Sequence, residues 1–342
     1  MARLILALRD LYPTRLEPQA QAALPRLPEL ERWLQRGDAD LRVGDWRRWL
    51  LQALSGGQYA SATPAAIAGA AHSTVPEGAP LWFATPVHYV AGLDRLRLHP
   101  AGLLDLHADE QQQLAADFSA VFTGSGWSLH ATGRRELLLS GGASGAVTTQ
   151  DPALWLGADP AAGLPNGEGA APLRRLGAEI EMWLHEHAVN AGRRRRGLLV
   201  VNAFWLWGGG QPRLAVRAAA PAAPAGRGTQ ALAADLFVDG LMRLCGGEVS
   251  TPGSRLPSPL PDLPRPDRLV VCDLGAAPDT NALTALERDW IAPALAQWRD
   301  GAWEAAVLLT GTRATTLARG SLRRLLRSMR RSRPWWETLL QC

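Results

Sequence analysis

The chain has 342 residues, of which 47% are hydrophobic and 20% charged, and its net charge is only +4. At about 150 residues per domain this length predicts two domains or one large α/β unit. The composition excludes a disordered chain, a collagen and a disulfide-stapled mini-protein. All 36 basic residues are arginine, which excludes a P-loop lysine and a Schiff-base lysine. The weak positive charge makes nucleic acid an unlikely partner.

The cysteines and the apolar runs bear on the compartment. Cys245, Cys272 and Cys342 are widely spaced and form no CxxC motif, so we expect no disulfides. No apolar run approaches the roughly 20 residues of a membrane span. Residues 4–8 are followed directly by Arg9 and Asp10, which predicts a first strand rather than a signal peptide. We therefore expect a cytoplasmic protein without a transmembrane segment.

Hydrophobic patterning predicts the elements of the first block in chain order. A buried strand covers 3–8, and helices cover 28–35 and 43–54. In the second helix Trp46, Trp49, Leu50 and Leu54 recur at helical spacing, which is typical of core packing.

The second block, residues 81–169, resembles a small α+β unit. It has a strand at 81–85, a helix at 109–122 with an acidic start, and strands at 127–130 and 136–139.

Strands and helices alternate in the third block, from residue 170 to the end. Helices are predicted at 173–187, 230–244, 282–297 and 317–330, and strands at 197–207, 248–250, 268–273 and 305–310. This alternation predicts an α/β fold, a mostly parallel sheet with helices on both faces. The predicted domains are a discontinuous α/β core of residues 1–80 and 170–342, and an inserted α+β domain of residues 81–169.

Two catalytic motifs are excluded because one required residue is missing from each. His185-Glu186 would need a histidine at 189 for a zincin motif, where Val189 stands. Gly142-Ala143-Ser144-Gly145-Ala146 lacks the last glycine of a nucleophile elbow. The arginine run 193–196 is interpreted as a solvated loop in preference to an anion clamp, and the arginine-rich stretch 317–330 as a core-packed helix with a basic outer face.

One stretch of the sequence resembles a known family. His187-Ala188-Val189-Asn190, Arg193 to Gly197 and Val200 to Pro212 are similar to a segment of archaeal-type cofactor-independent phosphoglycerate mutases. They are closer still to the proteobacterial relatives known as RpfE-type regulatory proteins. Weaker likenesses lie at 83–95, 239–253 and 278–289. The resemblance implies an alkaline-phosphatase-like fold with a smaller inserted domain.

The same resemblance implies that the metal site is lost. The superfamily transfers phosphoryl groups with two divalent metals held by carboxylates and histidines. Here no histidine follows His187, Leu283 replaces a ligand histidine after Asp279, and Arg313 replaces another. Arg9-Asp10 stands where the family has an Asp-Gly ligand motif after the first strand, and 24–28 offers no hydroxyl nucleophile. The sequence thus predicts no catalytic residue, no metal ligands and no cofactor.

The positions that would bind a substrate match the family better than the metal-ligand positions do. The resemblance implies that a small phosphorylated or carboxylate ligand is held by a set of polar and glycine positions: Arg95, Asn190, Arg193, Asn202, Gly208, Gly209 and Gly210. In the alternative, Asn190 and Asn202 brace the strand and turn, and the glycines allow a tight bend. The favoured function is a degenerate mutase-like protein in a regulatory role, with a small ligand or a partner protein as input.

Two other functions stay open. An active mutase or phosphatase would need a site rebuilt from groups dispersed in the sequence, namely Thr85, His88, Asp10, Asp273 and Asp279. A nucleic-acid or membrane contact would act through residues 317–342 and would depend strongly on salt.

Overall fold

A computed structural model describes residues 2–9, 24–41, 45–92, 95–142, 146–214, 228–250, 267–273, 279–311, 313–319 and 333–340. The chain divides into two compact units, each built from several segments. The first unit comprises Met1–Ala60, Pro221–Ala234 and Cys245–Cys342, and the second comprises Ser61–Ala220 and Asp235–Leu244.

A seven-stranded, mostly parallel sheet forms the first unit. Its strands in chain order are β1 (Arg3–Arg9), β2 (Asp38–Asp40), β8 (Gln230–Leu232), β9 (Glu248–Ser250), β10 (Arg268–Asp273), β11 (Ala305–Thr310) and β12 (Arg313–Ala318). The spatial order is β2-β12-β11-β1-β10-β8-β9. Strands β11, β1, β10, β8 and β9 run parallel. β12 pairs antiparallel with β11, and β2 pairs antiparallel with β12.

The sequence explains why β1 lies inside this sheet. Residues 4–8 are apolar and at most 1% exposed, as expected of a parallel strand covered on both faces. Strand β1 pairs with β10 on one side and β11 on the other. Asp267 fixes its start, because its carboxylate accepts from the Arg3 amide at 2.9 Å and from Arg3 Nε at 2.8 Å.

Helices bury one face of the sheet in the first unit. They are α1 (Pro28–Arg36), α8 (Thr280–Leu286), α9 (Ala292–Arg299) and α10 (Trp335–Leu340), and a π turn (Glu287–Ile291) joins α8 to α9. Their apolar side chains pack with Leu4, Leu6 and Leu8 in one core. Helix α2 (Trp46–Ser55) also belongs to this unit; Asp45 caps it by accepting from the Arg47 amide at 3.1 Å.

The second unit contains an antiparallel sheet. Its strands are β3 (Pro80–Ala91), β4 (Leu96–Leu103), β5 (Trp127–His130), β6 (Leu137–Gly141) and β7 (Ala203–Pro212). The order is β4-β3-β6-β5, and β7 pairs with β3. Around it lie the helices α3 (Pro64–Gly69), α4 (Ala108–Val121), α5 (Ala170–His185), α6 (Ala188–Arg195) and α7 (Leu236–Cys245).

Two layers cover this antiparallel sheet. Leucines, phenylalanines and valines of α4, α5 and α6 pack with Trp82, Ala84 and Leu139 in one core. On α7, Gly240 packs against the backbone of α3, where a Cβ would lie 1.9 Å from the Ile67 carbonyl oxygen. A glycine is therefore required at 240 for this close approach.

The predicted α/β class is confirmed, and three predicted elements are corrected. The apolar strand of 197–207 was placed in the parallel core, but β7 begins at Ala203 and pairs antiparallel with β3. The start of the predicted helix 230–244 is strand β8, because Gln230 to Leu232 pair with β10. Leu317 lies in β12, so no helix begins there, and 320–332 lie outside the described residues.

The domain boundaries at 81 and 169 stay a prediction; the observed second unit also takes in 61–80, 170–220 and 235–244.

The tryptophan stripe of α2 is confirmed as core packing, since Trp46 is 2% exposed and Leu50 and Leu54 are fully buried. Cys245 and Cys272 are buried, and neither forms a disulfide with another described residue. Among the described helices none is long and apolar enough to cross a membrane.

Candidate functional site

The carboxyl edge of the parallel sheet is the place where open α/β sheets bind ligands. In the first unit this edge carries three buried polar side chains at strand ends. Arg9 ends β1 and is 2% exposed, Thr310 ends β11 and is 4% exposed, and Arg313 begins β12 and is 9% exposed. Thr310 and Arg313 are direct partners in the antiparallel ladder, so their side chains lie on the same face.

Arg313 is held by neutral oxygens. Its Nε donates to Thr315 Oγ1 at 3.2 Å, and its Nη1 donates to the Thr338 carbonyl in α10 at 2.9 Å. Both contacts orient the guanidinium, and neither supplies a negative charge. The edge therefore presents a fixed cation.

The described residues of this edge include two arginines and no set of ligands for a pair of divalent metals. Metal pairs in phosphoryl transfer need several carboxylate or imidazole donors, whereas Arg9 and Arg313 bring positive charge. Asp279 lies at the start of α8 and accepts from the Ala282 amide at 2.7 Å as a helix cap. Leu283 is fully buried in the core. Within the part of the chain that the structure describes, no group of three or more His, Cys, Asp or Glu residues is placed to hold a metal ion.

The groups of the rebuilt-site hypothesis are divided between the two units. Asp279 and the backbone of Asp273 lie in the first unit, and Asp10 lies outside the described residues. In the second unit, Thr85 Oγ1 is buried and accepts from Trp207 Nε1 at 2.8 Å. His88 Nδ1 lies 2.8 Å from the Val200 carbonyl oxygen. Thr85 is therefore paired with an indole donor and not with a general base.

The segment that resembles the mutases lies in the second unit, and Asn190 is at its centre. This side chain is 2% exposed on α6. Its Nδ2 donates to the carbonyls of Leu184 and Val201, each at 2.7 Å, and its Oδ1 accepts from the Val201 amide at 2.8 Å. The amide thus ties the end of α5 to the segment leading into β7.

Arg193 is buried, not part of a solvated loop. It lies on α6 and is 4% exposed, whereas 194–196 are exposed. Its Nε donates to the Leu199 carbonyl at 2.7 Å, and its Nη1 lies 2.9 Å from Glu110 Oε2. Arg196 pairs with the other oxygen of Glu110. The run does clamp a carboxylate, but that carboxylate belongs to the same chain.

The N-terminus of α4 orients the Glu110 carboxylate that makes this pair. Glu110 also accepts from the His107 amide at 3.0 Å in a capping box at the N-terminus of α4. Burial opposes the charge, but the His107 amide, Arg193 and Arg196 outweigh it, and the pKa of Glu110 lies below its usual value. This pair was not predictable from local patterns, because 83 residues separate its members.

Asn202 and Arg95 occupy different surroundings. Asn202 pairs with the backbone of β3: its Oδ1 accepts from the Tyr89 amide and its Nδ2 donates to the Tyr89 carbonyl, both at 2.8 Å. Arg95 is exposed just before β4. The contacts of Asn190 and Asn202 favour the bracing alternative, and the ligand role stays a prediction.

The three glycines form a bulge in β7. Trp207 pairs with Phe83 and Gln211 with Leu81, so Gly208 to Gly210 lie opposite Trp82 alone. A Cβ at Gly209 would lie 1.9 Å from the Leu81 carbonyl oxygen. Gly208 has φ +64° and donates its amide to Thr149 Oγ1 at 2.9 Å. Close packing against β3 accounts for these glycines, and the ligand role predicted for them stays a prediction.

A polar cluster that the sequence did not indicate also lies in the second unit. His130 Nε2 and Ser140 Oγ are 2.8 Å apart on neighbouring strands. Arg134 donates to both oxygens of Asp239, at 2.7 and 3.2 Å. Burial lowers the pKa of His130, helped by the neighbouring His72, and raises the pKa of Asp239 against the pull of Arg134. These imidazole groups are therefore disposed to be neutral at pH 7.

No protein-family model and no curated protein matches the sequence of this chain. Among solved structures, the chain is similar to a cofactor-independent phosphoglycerate mutase from Thermoplasma acidophilum DSM 1728, with 12% identity and a TM-score of 0.38 over 94% of this chain and 91% of that chain. It is also similar to the PH0037 protein from Pyrococcus horikoshii, with 11% identity and a TM-score of 0.43 over 92% and 86%.

Proposed function

We propose that this chain is a phosphoglycerate mutase-like protein of the alkaline phosphatase superfamily that has lost two-metal phosphoryl transfer. It acts by binding a small phosphorylated or carboxylate ligand or a partner protein, in the regulatory role that the RpfE-type resemblance implies. The proposal includes a cytoplasmic location and no cofactor, both of which rest on the sequence.

One observation carries this proposal. Two of the positions that match metal-ligand segments of the mutases hold arginines, Arg9 and Arg313, and both are buried at the ends of strands of the first unit's sheet. A buried guanidinium repels a divalent cation and attracts an anion. Replacement of acidic and imidazole ligands by arginine therefore opposes the metal chemistry while keeping an affinity for the anionic groups of a substrate.

A titration with Mn²⁺, alone and with 3-phosphoglycerate, tests the proposal. We expect no saturable shift of the melting temperature with Mn²⁺ and no turnover in a coupled mutase assay on the same sample. We expect stabilisation by 3-phosphoglycerate without metal, since a ligand at 100 times its Kd adds about 2.7 kcal/mol to the free energy of unfolding. Saturable Mn²⁺ binding with turnover would instead establish an active enzyme with a rebuilt site.

A further inference from the structure

Arg313 differs from three other buried arginines in having no carboxylate partner among the described residues. Arg47, Arg135 and Arg193 each have a side chain no more than 5% exposed, and each lies within 4.0 Å of a carboxylate oxygen. Arg313 is comparably buried, yet its hydrogen-bond partners in the described chain are a hydroxyl and a backbone carbonyl. Burying an unpaired charge is costly, so this position calls for an anion.

Donors remain open at the same place. Arg313 Nη2 donates to none of the described residues. Thr310 Oγ1 likewise has no hydrogen-bond partner among them. As ladder partners in an antiparallel pair, Thr310 and Arg313 have Cβ atoms about 5 Å apart on one face. A guanidinium and a hydroxyl on one face of a sheet can donate to two oxygens of one anionic group.

The location of Thr310 and Arg313 in the sheet also favours an anion-binding role. β11 runs parallel to β1, and its last residue, Thr310, stands at the carboxyl edge where ligands enter open α/β sheets. The contact of Arg313 Nη1 with Thr338 fixes the guanidinium against α10 before any ligand arrives. An oriented donor loses less conformational entropy on binding than a free side chain.

We propose that Arg313, with Thr310 beside it, binds the carboxylate or phosphate group of a small ligand at the carboxyl edge of the first unit's sheet. This inference rests on the proposed function and names the residues that contact its ligand. Phosphate and carboxylate share the chemistry that an arginine recognises, so the experiment separates them.

Melting temperatures are measured with inorganic phosphate, with succinate, and with chloride at matched ionic strength. The wild type is expected to show saturable stabilisation by phosphate or by succinate and none by chloride. Arg313→Gln should weaken the apparent affinity by about tenfold or more. Arg313→Lys should lose less, because it keeps the charge without the planar fork. Arg319→Gln is the matched control, since Arg319 is an exposed arginine that directly follows β12.

An unchanged response in Arg313→Gln, or no response of the wild type to either anion, would overturn the inference. Should Arg313→Gln not fold, hydrogen exchange of the wild type decides. Slower exchange of the amides in 305–318 on adding the anion supports the site, and protection only elsewhere refutes it. These negative results would contradict the role of Arg313 but not the proposed loss of metal chemistry. Mn²⁺-dependent turnover would contradict the proposed function, whether or not Arg313 binds an anion.

Discussion

Arg193 Nη1 lies 2.9 Å from Glu110 Oε2, and this buried ion pair joins α6 to the first turn of α4. The arginine that the resemblance assigns to a ligand therefore already holds a carboxylate of its own chain. A second arginine, Arg196, takes the other oxygen of Glu110. For a ligand to engage Arg193 it would have to displace this carboxylate, which is a substantial barrier to a binding role.

Glu110→Gln tests how much this pair stabilises the fold. We expect a loss of about 3 kcal/mol in the free energy of unfolding, because the substitution leaves Arg193 buried without its counter-charge. The midpoint of urea unfolding measures it. Glu179→Gln is the control, since Glu179 pairs with Arg175 on the exposed side of α5 and should cost only about 0.3 kcal/mol. Equal losses in the two variants would contradict a structural role for the pair.

The effect of Glu110 should depend on pH. Its pKa is lower in the folded state than in the unfolded state, so its stabilising contribution is present above the unfolded-state pKa and is lost as pH falls through the folded-state pKa. The difference in unfolding free energy between the wild type and Glu110→Gln should therefore shrink between pH 7 and pH 3. A difference that stays constant over this range would rule out the ionised carboxylate as its source.

The burial of three histidines predicts a second pH dependence of the unfolding free energy, at higher pH than that of Glu110. Burial lowers the pKa of His72, His130 and His187. The unfolded chain then binds more protons near pH 6, so stability should fall as pH drops from about 7 to 5. His130→Gln should make this fall shallower, as chemical denaturation at several pH values will show. His185→Gln, at an exposed position, should leave the slope unchanged; a slope that is the same in all three proteins would contradict the prediction.

Gly209 and Gly177 make a matched pair of glycine substitutions. Gly209→Ala should destabilise the protein strongly, because the added Cβ would meet the Leu81 carbonyl oxygen at 1.9 Å. Gly177→Ala, in the middle of α5 with nothing within 4 Å of the new Cβ, should stabilise it by about 0.5–1 kcal/mol. Melting temperatures of the two variants should therefore move in opposite directions. A neutral Gly209→Ala would mean that the bulge opens freely.

Asn190→Ala separates the bracing role from the ligand role. Removal of the side-chain amide leaves the Val201 amide and carbonyl without their partner, while the Leu184 carbonyl keeps the His187 amide as a donor, so the loss should be about 2–3 kcal/mol. Asn166→Ala, which removes one exposed contact with the Gly167 amide, should cost far less. If Asn190 only braces, the folded variant should still be stabilised by 3-phosphoglycerate like the wild type. Selective loss of that response would establish Asn190 as a ligand contact.

Periodicity predicted most of the local elements of this protein. The strands 127–130, 248–250, 268–273 and 305–310 are confirmed at both ends. They were predictable because each is a short run bounded by turn residues. The apolar run ending in Trp207 was also predicted as a strand, but its partner was not. A continuous apolar run suits a buried strand of either sheet, and only the pairing with β3 decides between them.

The contacts that define the candidate sites were not predictable in the same way. The arginine at position 313 was visible in the sequence, and with it the hypothesis that the metal chemistry is lost. Its lack of a carboxylate partner was not, because it depends on where β11, β12 and α10 bring their polar groups. Likewise the proximity of His130 to Ser140 comes from the register of β5 and β6.

The order in which the chain visits its two units has a consequence for synthesis on the ribosome. β1 is translated well before its partners, because its start is fixed by a residue 264 positions later and its two neighbours in the sheet are β10 and β11. The second unit likewise is incomplete until residues 235–244 have been added. Such distant pairings slow folding and leave apolar strand edges open during elongation. A buried strand is therefore made long before either of the strands that cover its edges.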